Sequence, residues 1–449
     1  MISELALAGE RFPAAVWERA EPEAAAGWSN DKLAKAEAWS QSIGSIAVMV
    51  VQHGAVVAEW GDTATKTPLA SVRKSLLSAL IGNAVKRGEI DLSQPIGTLG
   101  IDDNEPSLTI EEKTASVRDL LMARSGIYHA ALYESREAVA QRPARFSHQP
   151  GTFWYYNNWD FNALGAIYEH AVGASIFEAF DREIARPIGM QDYRPSDGRY
   201  VTGAASVYPA YPINMSARDL ARFALLYLRD GRWLDRQILP AHWVEESTQA
   251  YSRSEFGQGY GYMWWTGPID NGIVPSVTLP KRTFFAQGLG GQYAFVIPSY
   301  DLVIVHRGAH KPGGPNLRRF GRLLWLLLDA GGFPGIGPDA SITAAQMPRA
   351  NGEALSHFLP GKTLLYGETA RGGPYRMRLN ADGSAAALRG HDRLQFDTGS
   401  WSINEDQFCR EWKTSEPRRM CFAVVSDGSK IQLFDSASLM VFDARIVED

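Results

Sequence analysis

Ser71 and Lys74 stand three residues apart at the head of a helix-patterned run, Ser71 to Arg87, after the short extended stretch Thr67-Pro68-Leu69-Ala70. On a helix, positions i and i+3 share a face, so the Lys74 amine can sit beside the Ser71 hydroxyl. A serine hydroxyl is a weak nucleophile until a neighbouring base takes its proton. A lysine serves as that base only when desolvation or a nearby positive charge lowers its pKa. The start of the helix adds backbone N–H groups where an oxyanion would form. Taken alone, S-x-x-K also fits a helix-start serine followed by a solvated lysine.

Two later segments carry matching chemistry. Pro150-Gly151-Thr152-Phe153-Trp154-Tyr155-Tyr156-Asn157-Asn158 reads as a loop before a helix. Tyr156 and Asn158, two apart, can both point into a cleft. A tyrosinate beside a lysine ammonium is a proton acceptor, and the phenol can return that proton to a leaving group. Asn158 can hydrogen-bond both Lys74 and a substrate carbonyl. The other segment, Ala286-Gln287-Gly288-Leu289-Gly290-Gly291-Gln292, lies between two β-patterned runs. Its glycines let the backbone approach a ligand closely, and an N–H there would complete an oxyanion hole with the Ser71 N–H. Each segment by itself is equally an aromatic packing loop or a hairpin turn.

The elements that must hold these residues follow from periodicity. Residues 45–60 read as two β runs around His53-Gly54, a hairpin signal. Helices are expected at 71–87, Val117–Met122, 159–172, after Ser216 as N-cap, and at 316–329. Further β runs fall at 283–287, 292–297 and 302–306. A hairpin, central helices, more strands and a closing helix predict an α/β sandwich with an inserted, mostly helical region at about 88–215. Gly331 to Pro338 breaks the pattern. The expected division is a first domain over 1–335, a linker over 336–354, and a small all-β sandwich or barrel over 355–449. Ala381-Asp382-Gly383-Ser384, Thr398-Gly399-Ser400 and Ser426-Asp427-Gly428-Ser429 are its expected turns.

Composition excludes several classes. The 449 residues are 45% apolar and 11% aromatic, ample for large cores, with a net charge of −5. No long Lys/Arg run suggests nucleic acid or an anionic membrane as partner. No window approaches the ~18 continuous apolar residues of a spanning helix. The first residues show no basic stretch followed by an apolar one, so no signal peptide is visible and a cytoplasmic location is expected. Only two cysteines occur, Cys409 and Cys421, and no His or Cys cluster forms a zinc set. They are either two buried thiols or one disulfide between neighbouring strands, and a disulfide would point to an oxidising compartment such as the periplasm.

S-x-x-K, then Y-x-N about eighty residues on, then a Gly-rich strand segment form an ordered set that resembles the serine β-lactamase and penicillin-binding-protein superfamily. Leu120-Leu121-Met122-Ala123-Arg124-Ser125-Gly126, Pro150-Gly151-Thr152 and Gly259-Tyr260-Gly261-Tyr262-Met263-Trp264-Trp265 add to it. The likeness covers about residues 30–330 and is nearest the class C branch, with its esterase and amidase relatives. Tyr155 to Asp160 and Gln287 to Gln292 look most like the 6-aminohexanoate-dimer hydrolase group. The resemblance implies an α/β (α+β) β-lactamase-like sandwich, an antiparallel sheet with flanking helices, followed here by the small all-β domain. It also implies Ser71 as acylated nucleophile, Lys74 as its partner, Tyr156 as general base or acid, and Asn158 as a substrate contact. The third family motif falls at Ala286-Gln287-Gly288, with Leu289 giving the second oxyanion N–H; a register at Leu289-Gly290-Gly291 stays open. In either register the motif's cation, which binds a β-lactam carboxylate, is missing. Lys281-Arg282-Thr283 does not supply it.

Gln287, Gly288, Tyr128 and Trp264 are expected to touch substrate, Tyr128 from the loop after Ser125-Gly126, where His129 is a weaker candidate. Trp264 and Trp265 alternate, one for the core and one for the pocket. His306-Arg307 reads as a structural ion pair, and Asp160 as a charge suited to a helix start. The expected activity is hydrolysis of a small ester or linear amide through a Ser71 acyl-enzyme, with neither cofactor nor metal. A β-lactamase or D,D-peptidase is the alternative within the class, and a non-catalytic binding or sensor module the alternative outside it. Segments 399–403 and 408–412 faintly resemble lipocalin-like domains. Nothing in the sequence specifies an oligomeric state.

Overall fold

Ala47 to Val51 are buried without a break, which an alternating strand allows only when both its faces are covered. The computed structural model describes residues 10–21, 25, 27–253, 258–267, 277, 279–309, 317–334, 349–369, 373–389, 393–414, 419–426, 430–435 and 440–447. In it, helix α1 (Asn30–Ser42) leads into β1 (Ser45–Gln52) and β2 (Ala55–Gly61). The two strands join at His53 and Gly54, whose φ angles of 52° and 76° build a tight two-residue hairpin. Next come helices α2 (Arg73–Lys86), α3 (Asn158–Val172) and α4 (Ala217–Leu228). Strands β3 (Ser252–Arg253), β4 (Gly259–Tyr260), β5 (Trp265–Thr266), β6 (Phe284–Gly288), β7 (Gln292–Ile297) and β8 (Leu302–Gly308) follow, and helix α5 (Leu317–Ala330) closes the series.

The strands form one antiparallel sheet in the order β2-β1-β8-β7-β6-β5-β4-β3. On one face Val48, Val50, Phe285, Phe295 and Ile304 pack with Phe320, Leu323 and Leu327 of α5. On the other, Ala47, Met49, Val51, Ala286, Val303 and Val305 join the core that contains α2, α3 and α4. Every side chain of α2 from Arg73 to Ala84 is buried, so this is a central helix enclosed on all sides. The stretch expected to be mostly helical also contains the paired strands Val201–Gly203 and Ser206–Ala210, besides several short helical turns.

Beyond residue 348 the chain makes helix α6 (Gly352–Phe358) and eight strands: β9 (Thr363–Thr369), β10 (Gly373–Leu379), β11 (Ser384–Arg389), β12 (Leu394–Asn404), β13 (Gln407–Trp412), β14 (Met420–Ser426), β15 (Lys430–Asp435) and β16 (Met440–Val447). They close into a barrel, each strand antiparallel to the next and β9 paired with β16. Leu364, Met377, Phe408, Phe422, Val424, Ile431 and Leu433 fill its interior. Most of the expected linker, 336–348, and the expected turn at Asp427 to Ser429 lie outside the described residues. The end of that linker already belongs to α6. The turn expected at Thr398-Gly399-Ser400 is instead the middle of β12, paired to Ala385 on one side and Trp412 on the other. Gly399 is required there by packing, because a Cβ would lie 2.8 Å from the Trp412 ring and 2.1 Å from Glu411 O. Cys409 and Cys421 sit opposite each other on β13 and β14 and form a disulfide.

Candidate active site

The segment leading to Ser71 is fixed before the helix begins. Thr67 and Pro68 pair with Met215 and Asn214, and Leu69 N–H donates to Ile213 O at 2.9 Å. Arg307, buried at the end of β8, donates from Nη2 to Thr67 O at 2.8 Å and Pro68 O at 3.1 Å, from Nη1 to Met215 O, and from Nε to Gln292 Oε1 at 2.7 Å. His306 beside it meets Ser45 Oγ at 2.7 Å and Gly291 O at 2.6 Å, and burial lowers its pKa to about 4. The ion pair expected for His306-Arg307 is therefore not formed. The two side chains clamp backbone instead, because a buried guanidinium surrounded by carbonyls is satisfied without a carboxylate. Ala70 has a φ of 48°, a left-handed residue without glycine's freedom, directly before Ser71. Ser71 sits in the helical turn Ala70–Val72 that runs into α2.

Lys74 is 2% exposed and holds the site together. Its Nζ lies 3.1 Å from Ser71 Oγ, 2.7 Å from the Tyr156 hydroxyl and 2.8 Å from Asn158 Oδ1. It also lies over the Tyr156 and Phe161 rings, at 4.2 and 4.6 Å from their centroids. The sequence motifs 71–74 and 156–158 are thus brought to one point. Burial, with Arg73 as a neighbouring positive charge, pushes the Lys74 amine well below the ordinary lysine range. Burial likewise pushes the Tyr156 phenol up to about 12, against smaller lowering effects of its Ser71 hydrogen bond and the Arg73 charge. Both directions favour a neutral amine beside a neutral phenol over the ammonium–tyrosinate pair that the sequence reading considered.

Asn158 is oriented by its own environment. Its Nδ2 donates to Tyr133 O at 2.7 Å, leaving Oδ1 toward Lys74. Asn157 caps α3 by accepting from Trp159 N–H at 3.1 Å. Asp160 is buried: its Oδ1 accepts from Ser125 Oγ at 2.6 Å and from Asn157 Nδ2 at 3.2 Å, while Oδ2 has no partner. Burial raises this carboxyl well above the usual range, against smaller lowering by its Ser125 and Asn157 hydrogen bonds, and through them it ties the Ser125 loop to the first turn of α3.

The third segment reaches the residues just before Ser71 through Gly288. A Cβ on Gly288 would lie 2.4 Å from Leu69 O and 3.1 Å from Ala70 Cβ, so only glycine lets β6 come this near. Gly290 and Gly291, both with φ of 79°, form the turn into β7. Leu289 opens that turn with its side chain 67% exposed. Strand alternation places Ala286 with Gly288 on the Ser71 face and Gln287 on the opposite face, across from Tyr293. The Gln287 side chain is thereby turned away from Ser71. Lys281 and Arg282 are exposed on the turn before β6.

Trp264 is a second correction. It is fully buried among Phe223, Tyr227 and Phe284. Its half-buried neighbour Trp265 is the one that meets the site, stacked on Tyr156 with centroids 5.6 Å apart. Tyr128 is buried, its hydroxyl 3.0 Å from His148 Nδ1 and its ring against Tyr155. Arg73, Tyr133, Trp265 and Arg307 were missed as site residues. Arg73 had a sequence signal in its place inside S-x-x-K, and Trp265 had one in its alternation with Trp264. Among the described residues no group of His, Cys, Asp and Glu could hold a metal ion, and no helix is long and apolar enough to cross a membrane.

An antiparallel sheet covered by helices on both faces, with a buried lysine joining a helix-start serine to a Tyr-x-Asn loop, defines a β-lactamase-like fold. A family model described as Beta-lactamase matches residues 30–312, and the chain belongs to that family. It is 23% identical over 290 residues to an uncharacterized protein of Alkalihalophilus pseudofirmus, covering 59% of this chain and 81% of that one. It is 31% identical over 148 residues to Esterase EstB of Burkholderia gladioli, covering 28% of this chain and 37% of that protein. The fold is similar to the solved structure described as a 6-aminohexanoate-dimer hydrolase from Bacillus anthracis, with a TM-score of 0.50 and 21% identity over 67% of this chain and 83% of that one. Its relatives thus include hydrolases by name.

Proposed function

We propose that this protein is a serine hydrolase that cleaves a small ester or linear amide through an acyl-enzyme on Ser71. One observation carries the reading: the three polar neighbours of Lys74 Nζ. An unprotonated lysine has two N–H groups and one lone pair. With Tyr156 and Asn158 Oδ1 receiving the two N–H groups, at 2.7 and 2.8 Å, the lone pair is left for the Ser71 hydroxyl at 3.1 Å. Lys74 takes the Ser71 proton as Oγ attacks the carbonyl carbon, and the N–H groups of Ser71 and Leu289 hold the oxyanion. Tyr156, protonated across the working pH range, passes a proton to the leaving alcohol or amine and is reprotonated from Lys74. Water, deprotonated by the same pair, then releases the acid and regenerates Ser71.

The absence of a cation at Ala286 favours neutral esters and simple amides over β-lactams, whose carboxylate would find no partner on β6. The decisive measurement pairs a fluorophosphonate probe with turnover of a p-nitrophenyl ester, an aminohexanoate dimer and nitrocefin. An adduct on Ser71 with ester or amide turnover is expected. Full ester hydrolysis by Ser71→Ala would sink the assignment, and nitrocefin as the best substrate would move it to the β-lactamase reading.

A further inference from the structure

Arg73 is 1% exposed, yet Nη1 donates to Ala70 O at 2.9 Å while Nε and Nη2 have no partner. Its guanidinium lies between two phenol rings, 5.4 Å from the centroid of Tyr133 and 5.0 Å from that of Tyr211. Among the described residues no carboxylate pairs with it. A buried cation with unsatisfied donors destabilises a fold, so one retained beside a reactive group calls for an account other than packing. We propose that Arg73 is a positioning residue whose buried, unpaired charge, next in sequence to Lys74, holds the Lys74 amine in its unprotonated form.

The inference rests on Lys74 acting as the base in the reading above. Two adjacent buried cations repel, and only one of them can shed its proton. Arginine stays protonated in proteins, so the penalty falls on the lysine. Nothing around Lys74 cancels that charge. Ser71, Tyr156, Asn158 and Phe161 face its Nζ, and none is a carboxylate. Tyr211 and Tyr260 pack nearby, and burial keeps both phenols neutral. Asp160, in the first turn of α3, is the nearest acid on that helix, and burial raises its pKa well above the usual carboxylate range, which weakens it as a counter-charge. The cation–ring contacts with Tyr133 and Tyr211 let the guanidinium remain charged without supplying a counter-charge.

The test is the acid limb of kcat/KM for a p-nitrophenyl ester, with thermal melts and Ser71 labelling recorded for each variant. Below the Lys74 pKa the amine is protonated and cannot accept the Ser71 proton. Removing the Arg73 charge raises that pKa, so in Arg73→Met the limb should move to higher pH by roughly one unit, with the rate at high pH largely retained. Arg73→Gln removes the charge but keeps a polar side chain beside Ala70 O, so its limb should move as far as that of Arg73→Met. A folded Arg73→Met with an unmoved limb and an evenly lowered rate would make Arg73 a packing residue and overturn the proposal. So would an Arg73→Gln limb that stays in place while that of Arg73→Met moves. If Arg73→Met does not fold, the unmodified protein decides: a limb near the ordinary lysine value of about 10 overturns the proposal. Absence of any Ser71 adduct would instead sink the hydrolase reading itself, so the two failures are distinguishable.

Discussion

Around its sheet the chain buries Arg73, Lys74, Asp160, Arg222, His306 and Arg307, whereas the barrel packs an apolar cluster from Leu364 round to Ala444, with Thr363 and Asp397 as the buried polar residues among those described there. Burying a charge or a strong hydrogen-bonding group destabilises a fold unless every donor and acceptor is met. In the sheet region three of these residues meet Ser71 or the segment that delivers it: Lys74 and Arg73 in S-x-x-K, and Arg307 at the end of β8. The barrel meets the rule mostly with side chains that need no partners, with Asp397 Oδ1 accepting from Thr398 N–H at 2.8 Å and one disulfide across β13 and β14. The contrast separates residues retained for chemistry from residues retained for packing. It also predicts that damage to the two regions will read out differently.

The largest effect is expected from Ser71→Ala, which should lower kcat/KM for a p-nitrophenyl ester by roughly 10⁴-fold or more with little change in Tm. Lys74→Met should cost about 10³-fold in kcat and abolish the acid limb, since no base remains to titrate. The limb itself should lie well below the ordinary lysine range, with the rate rising as pH passes up through the depressed Lys74 pKa. Gly288→Val should cost roughly 10²-fold, because its side chain must push β6 away from Leu69 O. A Gly288→Val protein with full activity would show that β6 does not approach the nucleophile in solution. Smallest of all, the Cys409→Ser, Cys421→Ser double variant should lose about 2–3 kcal/mol of barrel stability by denaturant titration. Its kcat/KM should be unchanged. A large loss of activity in that variant would break the comparison by coupling the barrel to the site.

Much of the site was legible because its chemistry is local in sequence. Ser71 and Lys74 are one helical turn apart, and Tyr156 and Asn158 flank a helix cap, so residue type and spacing carry them. Strands β1, β2, β6, β7 and β8 were legible for the same reason, being apolar runs bounded by turns, whereas the two-residue strands β3, β4 and β5 are too short to show a period. What escaped depends on contacts between distant segments. Trp264 and Trp265 differ only in which side of the chain each occupies at the start of the short strand β5, and the sequence supplies alternation without its phase. Gln287 fails in the same way. Arg307 reads as half of an ion pair until the carbonyls of Thr67, Pro68 and Met215 are seen to surround it. Gly399 reads as a turn until Trp412 is seen to cross it. The state of Lys74 and Tyr156 escaped too, because desolvation is a property of the assembled core.

Arg307 also bears on the order in which the protein becomes active during its synthesis. It grips Thr67 O across 240 residues of sequence, and β1, near the start of the chain, waits for the same strand β8 as its partner. A ribosome emits residues in order, so Ser71 and Lys74 emerge long before the strand that fixes them. Until residue 307 is out, the segment leading to Ser71 lacks its Arg307 anchor and the sheet is missing β8 between β1 and β7. Nascent chains carrying both catalytic motifs should therefore be inert toward a fluorophosphonate probe. Reactivity should switch on when the chain has cleared β8.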